Sequence, residues 1–443
     1  MLDGRRYLAG CSFVDNGTGG NLGPTFQRAT WVVGLVAALA VAATTPIPAG
    51  ATARCEGEPA VVGEHVGSHT IGSWAQLSIA SMPGAASRRG FAFDPLASLT
   101  TIPHPMTRER RVGTSAIRAT SDPAGKVGLS VAAWEVPART PRLDDWAADG
   151  FAQVRIDVLW KAVETIPGVY DWSSTDATMA RLARAGLTVL PVLDTTAPAY
   201  QSMPGEDLSP PTSARAYARW AAAVVDRYHA GGAFWSSHPA LTPRPVDAVE
   251  IWNEPYNETF WRTGPDVEEY RTLFVAAAQA VREADADIDI GLEVVPRYRI
   301  DGRGDAKWAQ PLLSDPTVRG LTDFLSVHPY PTPKDKDPAT DADAVYGFAM
   351  VAGLHQMALA EGWADPRVWI TEIGFPSDLG NWSQARHNRD AVARAFHEWG
   401  SFVDRYYLFT PGNSATWPEE FFVPGTSIDR GTYGAVSALV TCP

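Results

Sequence analysis

Apolar, strand-like runs alternate with alanine-rich, helix-like stretches from residue 127 to the end of the sequence. A run that is apolar throughout predicts a strand buried on both faces, and strands separated by helices predict parallel βαβ units. The eight runs are Val127–Trp134, Phe151–Trp160, Leu187–Thr195, Val246–Glu254, Ile288–Val295, Phe324–His328, Val368–Gly374 and Tyr406–Thr410.

Helical stretches lie between these runs and are recognised by amphipathic spacing and alanine content. The clearest are Thr175–Ala185, Ala214–His229, Asp266–Ala284, Tyr346–Glu361 and Gln384–Phe402. Eight strand-helix repeats predict an α/β fold, a (β/α)8 TIM barrel with functional groups at the carboxyl ends of the strands. An open, doubly wound sheet is the alternative, but no G-x-G-x-x-G pattern follows the first run.

The N-terminal part predicts export and a short extension before the barrel. Arg28, the apolar stretch 31–43 and the A-x-A pattern at 51–53 are typical of a secretory signal peptide. We therefore assign residues 1–53 to a leader and signal peptide, 54–124 to an extension with short β-type pieces, and 125–443 to the barrel. The expected location is extracellular.

The amino-acid composition restricts the classes of molecule that this protein is expected to bind. A net charge of −13 argues against nucleic acid and anionic membranes, which bind basic patches. The 16 Trp and 13 Tyr suit stacking on sugar rings. No C-x-x-C or H-E-x-x-H motif occurs, so nothing points to a structural or catalytic zinc, and we expect no metal. We also expect no cofactor. We expect a monomer, with Cys55 and Cys442 forming a disulfide after removal of the segment that carries Cys11.

Two segments each place a glutamate at the end of an apolar run: VEIWNEPYNETFW carries Glu254, and VWITEIGFPS carries Glu372. The end of a barrel strand lies at the mouth of the barrel, so both carboxylates are expected in one cleft. Most glutamates are ordinary exposed acids, but these two lie in aromatic, apolar surroundings. Two carboxylates are what glycosidic-bond hydrolysis requires, one as acid and one as nucleophile or base.

The segments Trp252–Pro255 and Thr371–Gly374 resemble the retaining glycoside hydrolases of clan A. Within that clan, E-I-W-N-E-P-x-N-x-x-F-W is similar to the family of β-xylosidases and α-iduronidases, with the large cellulase family as second choice. The resemblance implies that Glu254 is the general acid/base and Glu372 the nucleophile. It also implies that Asn253 binds the sugar 2-hydroxyl.

Arg155 is a charge inside the apolar second run, and a buried arginine needs an anionic partner. Glu372 is the predicted partner and Asp157 the competing one. An arginine beside the nucleophile stabilises its ionised form, and we expect desolvation to favour protonated Glu254. His328 and Tyr330 match a clan pattern in which a histidine and a tyrosine face the nucleophile.

Several other residues are candidates for contact with a sugar. Trp160 and Trp417 are predicted to stack on substrate, and Trp134 and Trp261 could do so, although each could instead be core. Asp194 could bind sugar hydroxyls or cap a helix. Many clan members carry a tryptophan at the end of strand eight, where this chain reads Y-Y-L-F-T-P. Trp417, in the following loop, is the candidate to replace that tryptophan.

These features predict a secreted retaining O-glycoside hydrolase that cleaves a β-linked poly- or oligosaccharide. Its two carboxyl groups are expected about 5 to 5.5 Å apart. A transglycosylase would use the same residues. A non-catalytic sugar-binding barrel would not need both glutamates. A Schiff-base aldolase would need a strand-end lysine, and Lys161 has no suitable neighbours in the sequence.

Overall fold

The computed structural model describes residues 122–133, 136–300, 304–376, 381–410, 419 and 431–441. The leader, most of the N-terminal extension, Cys55 and Cys442 lie outside these residues, as do Trp134 and Trp417. No described helix is long and apolar enough to cross a membrane.

Eight parallel strands form a closed barrel in which each strand pairs with the next, and the last pairs with the first. They are β1 (Val127–Ser130), β2 (Gln153–Leu159), β3 (Thr188–Asp194), β4 (Ala248–Ile251), β5 (Asp289–Glu293), β6 (Phe324–Val327), β7 (Val368–Ile373) and β8 (Val403–Phe409). Each lies within or overlaps one of the eight apolar runs. The prediction of a (β/α)8 barrel is confirmed.

Helices surround the barrel and bury their apolar sides against the outer faces of the strands. The helices described are Val136–Ala148, Trp160–Val163, Ser173–Arg184, Ala214–Tyr228, Ala233–Ser237, Val267–Ala284, Ala309–Ser314, Pro316–Leu321, Met350–Ala360, Asn381–Glu398 and Thr432–Thr441. Side-chain caps fix several starts: Ser213 accepts from Ala216 N, and Asp266 accepts from two backbone N–H groups. A short antiparallel hairpin, Arg297–Ile300 with Gly304–Lys307, follows β5.

Alternate strand residues point into the barrel, as the two-residue period of a strand requires. Towards the amino-terminal ends of the strands, the inward-facing side chains include a buried, mainly apolar cluster. Phe324 stacks on Trp369 with ring centroids 3.7 Å apart, and Gly291 makes room, since a Cβ there would lie 2.4 Å from the Phe324 ring. We call these residues the apolar floor: Leu190, Ala248, Phe324, Trp369 and Tyr407.

Candidate active site

A cavity of about 870 Å³ opens at the carboxyl ends of the barrel strands, the end where (β/α)8 enzymes carry their active sites. The structure brings six of the sequence-predicted residues together in its lining: Arg155, Asn253, Glu254, His328, Tyr330 and Glu372.

Glu254 reaches the cavity from a strained turn and not from the strand itself. The run was predicted to end at Glu254, but β4 ends at Ile251. Trp252 and Glu254 both have positive φ, 69° and 42°, a region that non-glycine residues rarely occupy. Trp252 anchors this turn, because its side chain is fully buried and its Nε1 donates to Phe260 O at 2.9 Å.

Glu372 reaches the cavity through an irregularity in β7. The pairing of β7 with β8 shifts between Tyr406 and Leu408, so that Thr371 and Glu372 together oppose the single residue Tyr407. Such a bulge re-aims a side chain that would otherwise follow the alternation of the strand. Thr371 faces inward, where its Oγ1 lies 2.6 Å from Ser326 Oγ, and the bulge lets Glu372 face the cavity as well.

Arg155 links the carboxylates at the centre of the barrel. Its Nε donates to Glu250 Oε2 at 2.6 Å and its Nη1 to Glu372 Oε2 at 3.0 Å. The predicted contact with Glu372 is confirmed, and Asp157 acts on Arg155 only through its charge. Burial disfavours the guanidinium charge, yet the carboxylates of Glu250 and Glu372 raise the pKa of Arg155. Arg155 is therefore a fixed positive charge beside Glu372.

Replacing Arg155 with methionine is expected to lower the free energy of unfolding by about 3–5 kcal/mol, because Glu250 is left buried without a counter-charge. Urea unfolding measures the change. The double variant Arg155→Met with Glu250→Gln removes both charges and should recover part of the loss. Equal stability of the single and double variants would contradict the ion pair as the cause.

Asn253 is oriented by the same arginine. Arg155 Nη2 donates to Asn253 Oδ1 at 2.8 Å, and the side chain is nearly buried at the cavity. Because Oδ1 is engaged by the guanidinium, the group that meets a ligand is the Nδ2 donor. This geometry suits the predicted contact with a sugar hydroxyl.

The residues of the S-V-H-P-Y-P segment divide between the two carboxylates. Tyr330 donates its hydroxyl to Glu372 Oε1 at 3.1 Å, as predicted. His328 does not hydrogen-bond Glu372, contrary to the expected pattern: its Nδ1 lies 2.9 Å from Glu254 Oε1. Glu372 is thus held by two donors, Arg155 and Tyr330. Glu254 has a different pair of partners, His328 and Asn257, and Asn257 Nδ2 donates to Glu254 Oε2 at 2.7 Å.

The charge state of Glu254 differs from the expectation. Burial favours its protonated form, but the hydrogen bond and charge of His328, helped by Asn257, outweigh it, and the pKa of Glu254 is lowered. Desolvation alone therefore does not keep this carboxyl protonated, which corrects the prediction from sequence.

Two further acids face the cavity from β2 and β3. Burial raises the pKa of Asp157 to about 6 and, together with the charge of Asp157, raises the pKa of Asp194 to about 7. Asp194 does not cap a helix, since the next helical turn begins after Ala197. Of the two roles considered for Asp194, contact with sugar hydroxyls is the one that its position allows.

The described tryptophans that were candidates for stacking on a sugar, Trp160 and Trp261, do not line the cavity. Trp160 is fully buried, stacks between Tyr200 and Trp220, and donates from Nε1 to Glu164 at 2.6 Å. The assignment of Trp160 to the substrate is wrong, because its ring packs against the core. Trp261 is likewise fully buried. Phe409, at the end of β8, lines the cavity where many clan members carry a tryptophan.

Lys161 lies at the cavity but is ion-paired with Asp207. Carbonyl chemistry requires a lysine that is desolvated in an apolar pocket, whereas the Lys161 side chain is 41% exposed and contacts a carboxylate. The structure gives the aldolase alternative no support.

Sequence reasoning missed two buried acids, Glu250 and Glu293. Both are inward-facing residues of otherwise apolar strands and are 0% exposed. The signal was present, because an acid inside an apolar run needs a partner as much as Arg155 does. Glu250 accepts from Arg155 and from Ser326 Oγ, the latter at 2.5 Å, whereas Glu293 accepts from the backbone N–H of Glu254 at 2.9 Å.

Glu254, Glu293 and His328 also place one ligand-type atom each within 4.8 Å of one another. Three such groups could approach a cation. His328 Nδ1 is instead hydrogen-bonded directly to Glu254, so we interpret the group as a proton-sharing network.

Comparison with known proteins supports the fold. No protein-family model and no curated protein matches the sequence. A family 39 glycoside hydrolase from Bacteroides cellulosilyticus superimposes with a TM-score of 0.54 at 18% identity, over 72% of this chain and 64% of that one. A monomeric β-xylosidase from Caulobacter crescentus gives 0.54 at 17% identity, over 73% and 69%.

The chain has the barrel fold of these glycoside hydrolases. The resemblance to clan A is thereby confirmed at the level of fold. The chain spans just under two thirds of the length of the Bacteroides protein.

Proposed function

We propose that this protein is a secreted, retaining O-glycoside hydrolase that cleaves a β-linked poly- or oligosaccharide by double displacement. The observation that carries the proposal is the separate support of two glutamates in one cavity. Glu372 accepts from Arg155 and Tyr330, and Glu254 is hydrogen-bonded to His328 and Asn257.

In the first step, a Glu372 oxygen bonds to the anomeric carbon while the glycosidic C–O bond breaks and Glu254 donates a proton to the departing oxygen. In the second step, Glu254 takes a proton from water, the water oxygen bonds to the anomeric carbon, and the bond to Glu372 breaks. Arg155 and Tyr330 hold Glu372 in place for the attack. Asn253 offers Nδ2 to the sugar 2-hydroxyl, a contact that strengthens in the transition state.

The cavity suits a neutral, hydroxyl-rich sugar. Asp157 and Asp194 supply hydroxyl acceptors, and Lys161 is already paired with Asp207. Acidic side chains outnumber basic ones in the cavity lining, and this balance disfavours an anionic sugar through like-charge repulsion. A panel of aryl β-glycosides and polysaccharides tests the proposal, with β-xylosides first because the Caulobacter protein is a β-xylosidase. If the protein hydrolysed no substrate in the panel, the proposed function would be rejected.

Product stereochemistry tests the retaining mechanism. The predicted carboxyl separation of about 5 to 5.5 Å leaves no room for water between nucleophile and sugar, so a β-glycoside should first release the β-anomer. Proton NMR of the first product formed, before mutarotation, reads the configuration. Release of the α-anomer would mean inversion and a separation nearer 6.5–9.5 Å.

A further inference from the structure

Double displacement makes opposite demands on Glu254. It must be ionised to accept a proton from water, and the contacts with His328 and Asn257 favour that form. It must also carry a proton when the leaving group departs. The inference below rests on the proposed function and concerns where that proton is held.

Glu293 lies at the end of β5, directly behind Glu254. Its side chain is fully buried. One oxygen, Oε2, accepts the backbone N–H of Glu254 at 2.9 Å, and the other, Oε1, accepts the Tyr256 hydroxyl at 3.3 Å. Glu293 therefore supports the strained turn that presents Glu254, and both of its oxygens accept hydrogen bonds.

His328 connects the two carboxyl groups through a single nitrogen. Its Nδ1 lies 2.9 Å from Glu254 Oε1 and 3.4 Å from Glu293 Oε1. Among the residues described, Nε2 has no hydrogen-bond partner, so the protein contacts of the ring go through Nδ1. The single Nδ1–H of His328 cannot point directly at both Glu254 and Glu293. The more strongly charged of the two carboxyl groups is the better acceptor for it.

Two carboxylates this close do not both ionise easily. Burial, joined by the charges of Glu250 and Glu254, raises the pKa of Glu293 to about 8. Burial opposes the charge on His328, but Glu293, Glu372 and Glu254 raise its pKa to about 9. These directions favour protons on Glu293 and His328 over a proton on Glu254 in the free protein.

We propose that Glu293 is a positioning residue that holds, and through His328 delivers, the proton that Glu254 donates to the leaving group. The His328 Nδ1–H bond breaks as an O–H bond forms on Glu254. The Glu293 O–H bond then breaks as Nδ1–H re-forms. The net change is one proton moved from Glu293 to Glu254, and the proton taken from water in the second step returns by the reverse path.

Groups from every neighbouring element face this network. Arg155 lowers the pKa of Glu293 and Glu250 raises it, and Tyr270 OH lies 3.4 Å from the backbone nitrogen of Glu293. The titratable and charged groups are Arg155 on β2, Glu250 on β4, Glu254 and Tyr256 in the turn after it, Tyr270 on helix Val267–Ala284, His328 after β6 and Glu372 on β7.

The test is the pH dependence of kcat/KM for Glu293→Gln, which keeps the size of the side chain and an oxygen acceptor. The substrates are the phenyl and 2,4-dinitrophenyl β-glycosides of the sugar that the wild-type protein cleaves fastest. The variant lacks the carboxyl group that holds a proton up to about pH 8, and it also lacks the charge that contributes most to raising the pKa of His328. The proton that can be passed to Glu254 is therefore lost at lower pH. The alkaline limb should move down by about one unit or more.

At pH 7 the phenyl glycoside should lose about 10–100-fold in kcat/KM, because its departure needs a proton. The 2,4-dinitrophenyl glycoside should change less than about threefold, since it leaves without one. The exposed Glu283 on helix Val267–Ala284 supplies the matched control, and Glu283→Gln should match wild type. An unmoved alkaline limb, or equal loss on both substrates, would overturn the proposal.

Tyr256→Phe is a milder variant that remains informative if Glu293→Gln does not fold. It removes one donor to the Glu293 carboxylate, so the pKa of Glu293 rises, the stored proton is kept to higher pH, and the alkaline limb should move up by a smaller amount. No movement would count against the proposal. A wild-type protein that cleaves no glycoside would instead reject the proposed function itself.

Discussion

Glu372→Ala is expected to lower kcat/KM on aryl β-glycosides by on the order of 10⁴–10⁶-fold, the scale seen when a nucleophile is removed. Arg155 and Tyr330 would then hold their donors toward an empty position. No other described carboxylate has this pair of donors, so no neighbour can take over the attack. Steady-state kinetics measure the loss.

Azide should restore turnover of Glu372→Ala by entering the space left by the carboxylate. It attacks from the nucleophile's side, so the product of a β-glycoside is the α-glycosyl azide, identified by NMR. Glu283→Ala, far from the cavity on an outer helix, should keep wild-type activity with no azide effect. A Glu372→Ala enzyme that kept most of its activity without azide would remove Glu372 from its role.

Glu254→Ala should separate substrates by their leaving groups. Phenyl glycosides should lose about 10²–10⁴-fold in kcat/KM, the usual contribution of a general acid, whereas 2,4-dinitrophenyl glycosides should still form the glycosyl-enzyme rapidly. Hydrolysis of that intermediate then becomes slow, because no base activates water. Pre-steady-state release of dinitrophenol should show a burst.

Azide acts on Glu254→Ala from the opposite side of the sugar. It attacks the glycosyl-enzyme where the leaving group departed, so the product is the β-glycosyl azide. The two alanine variants thus give azides of opposite configuration and assign the two roles independently. The same azide configuration from both would show that the roles of Glu254 and Glu372 are misassigned.

The barrel and its central ion pair could be predicted because they follow from patterns that survive in the sequence. Apolar runs separated by helices identify strands buried on both faces. A charge inside such a run must find a partner, which is why Arg155 could be matched to Glu372 before any distance was known. Periodicity and charge balance are local or pairwise constraints, and both can be read without coordinates.

The exact delivery of the two glutamates could not be predicted. Glu254 depends on a backbone turn with positive φ at two non-glycine residues, and Glu372 depends on a bulge in β7. Neither feature has the glycine signature that usually marks such backbone, because surrounding packing imposes it. Trp160 shows the converse difficulty: a tryptophan next to a strand end can turn outward into the core.

The protonation state of Glu254 could not be predicted from the sequence either. Burial alone suggested a protonated Glu254, and a histidine from a strand distant in sequence reverses that preference. Such an effect depends on contacts of 2.9 and 3.4 Å around one nitrogen. Sequence spacing does not resolve distances of that size.

The apolar floor also has a kinetic consequence. Among the described residues, Phe324, Trp369 and their neighbours fill the barrel interior beneath Arg155, so the cavity opens at the strand ends and not through the barrel. Substrate and water must enter through the same opening by which the products leave. In the proposed double displacement, the released alcohol must therefore leave the cavity before water can attack from that side. A sugar alcohol that stays in or re-enters the cavity competes with water for the glycosyl-enzyme. High sugar concentrations should therefore raise the ratio of transglycosylation to hydrolysis.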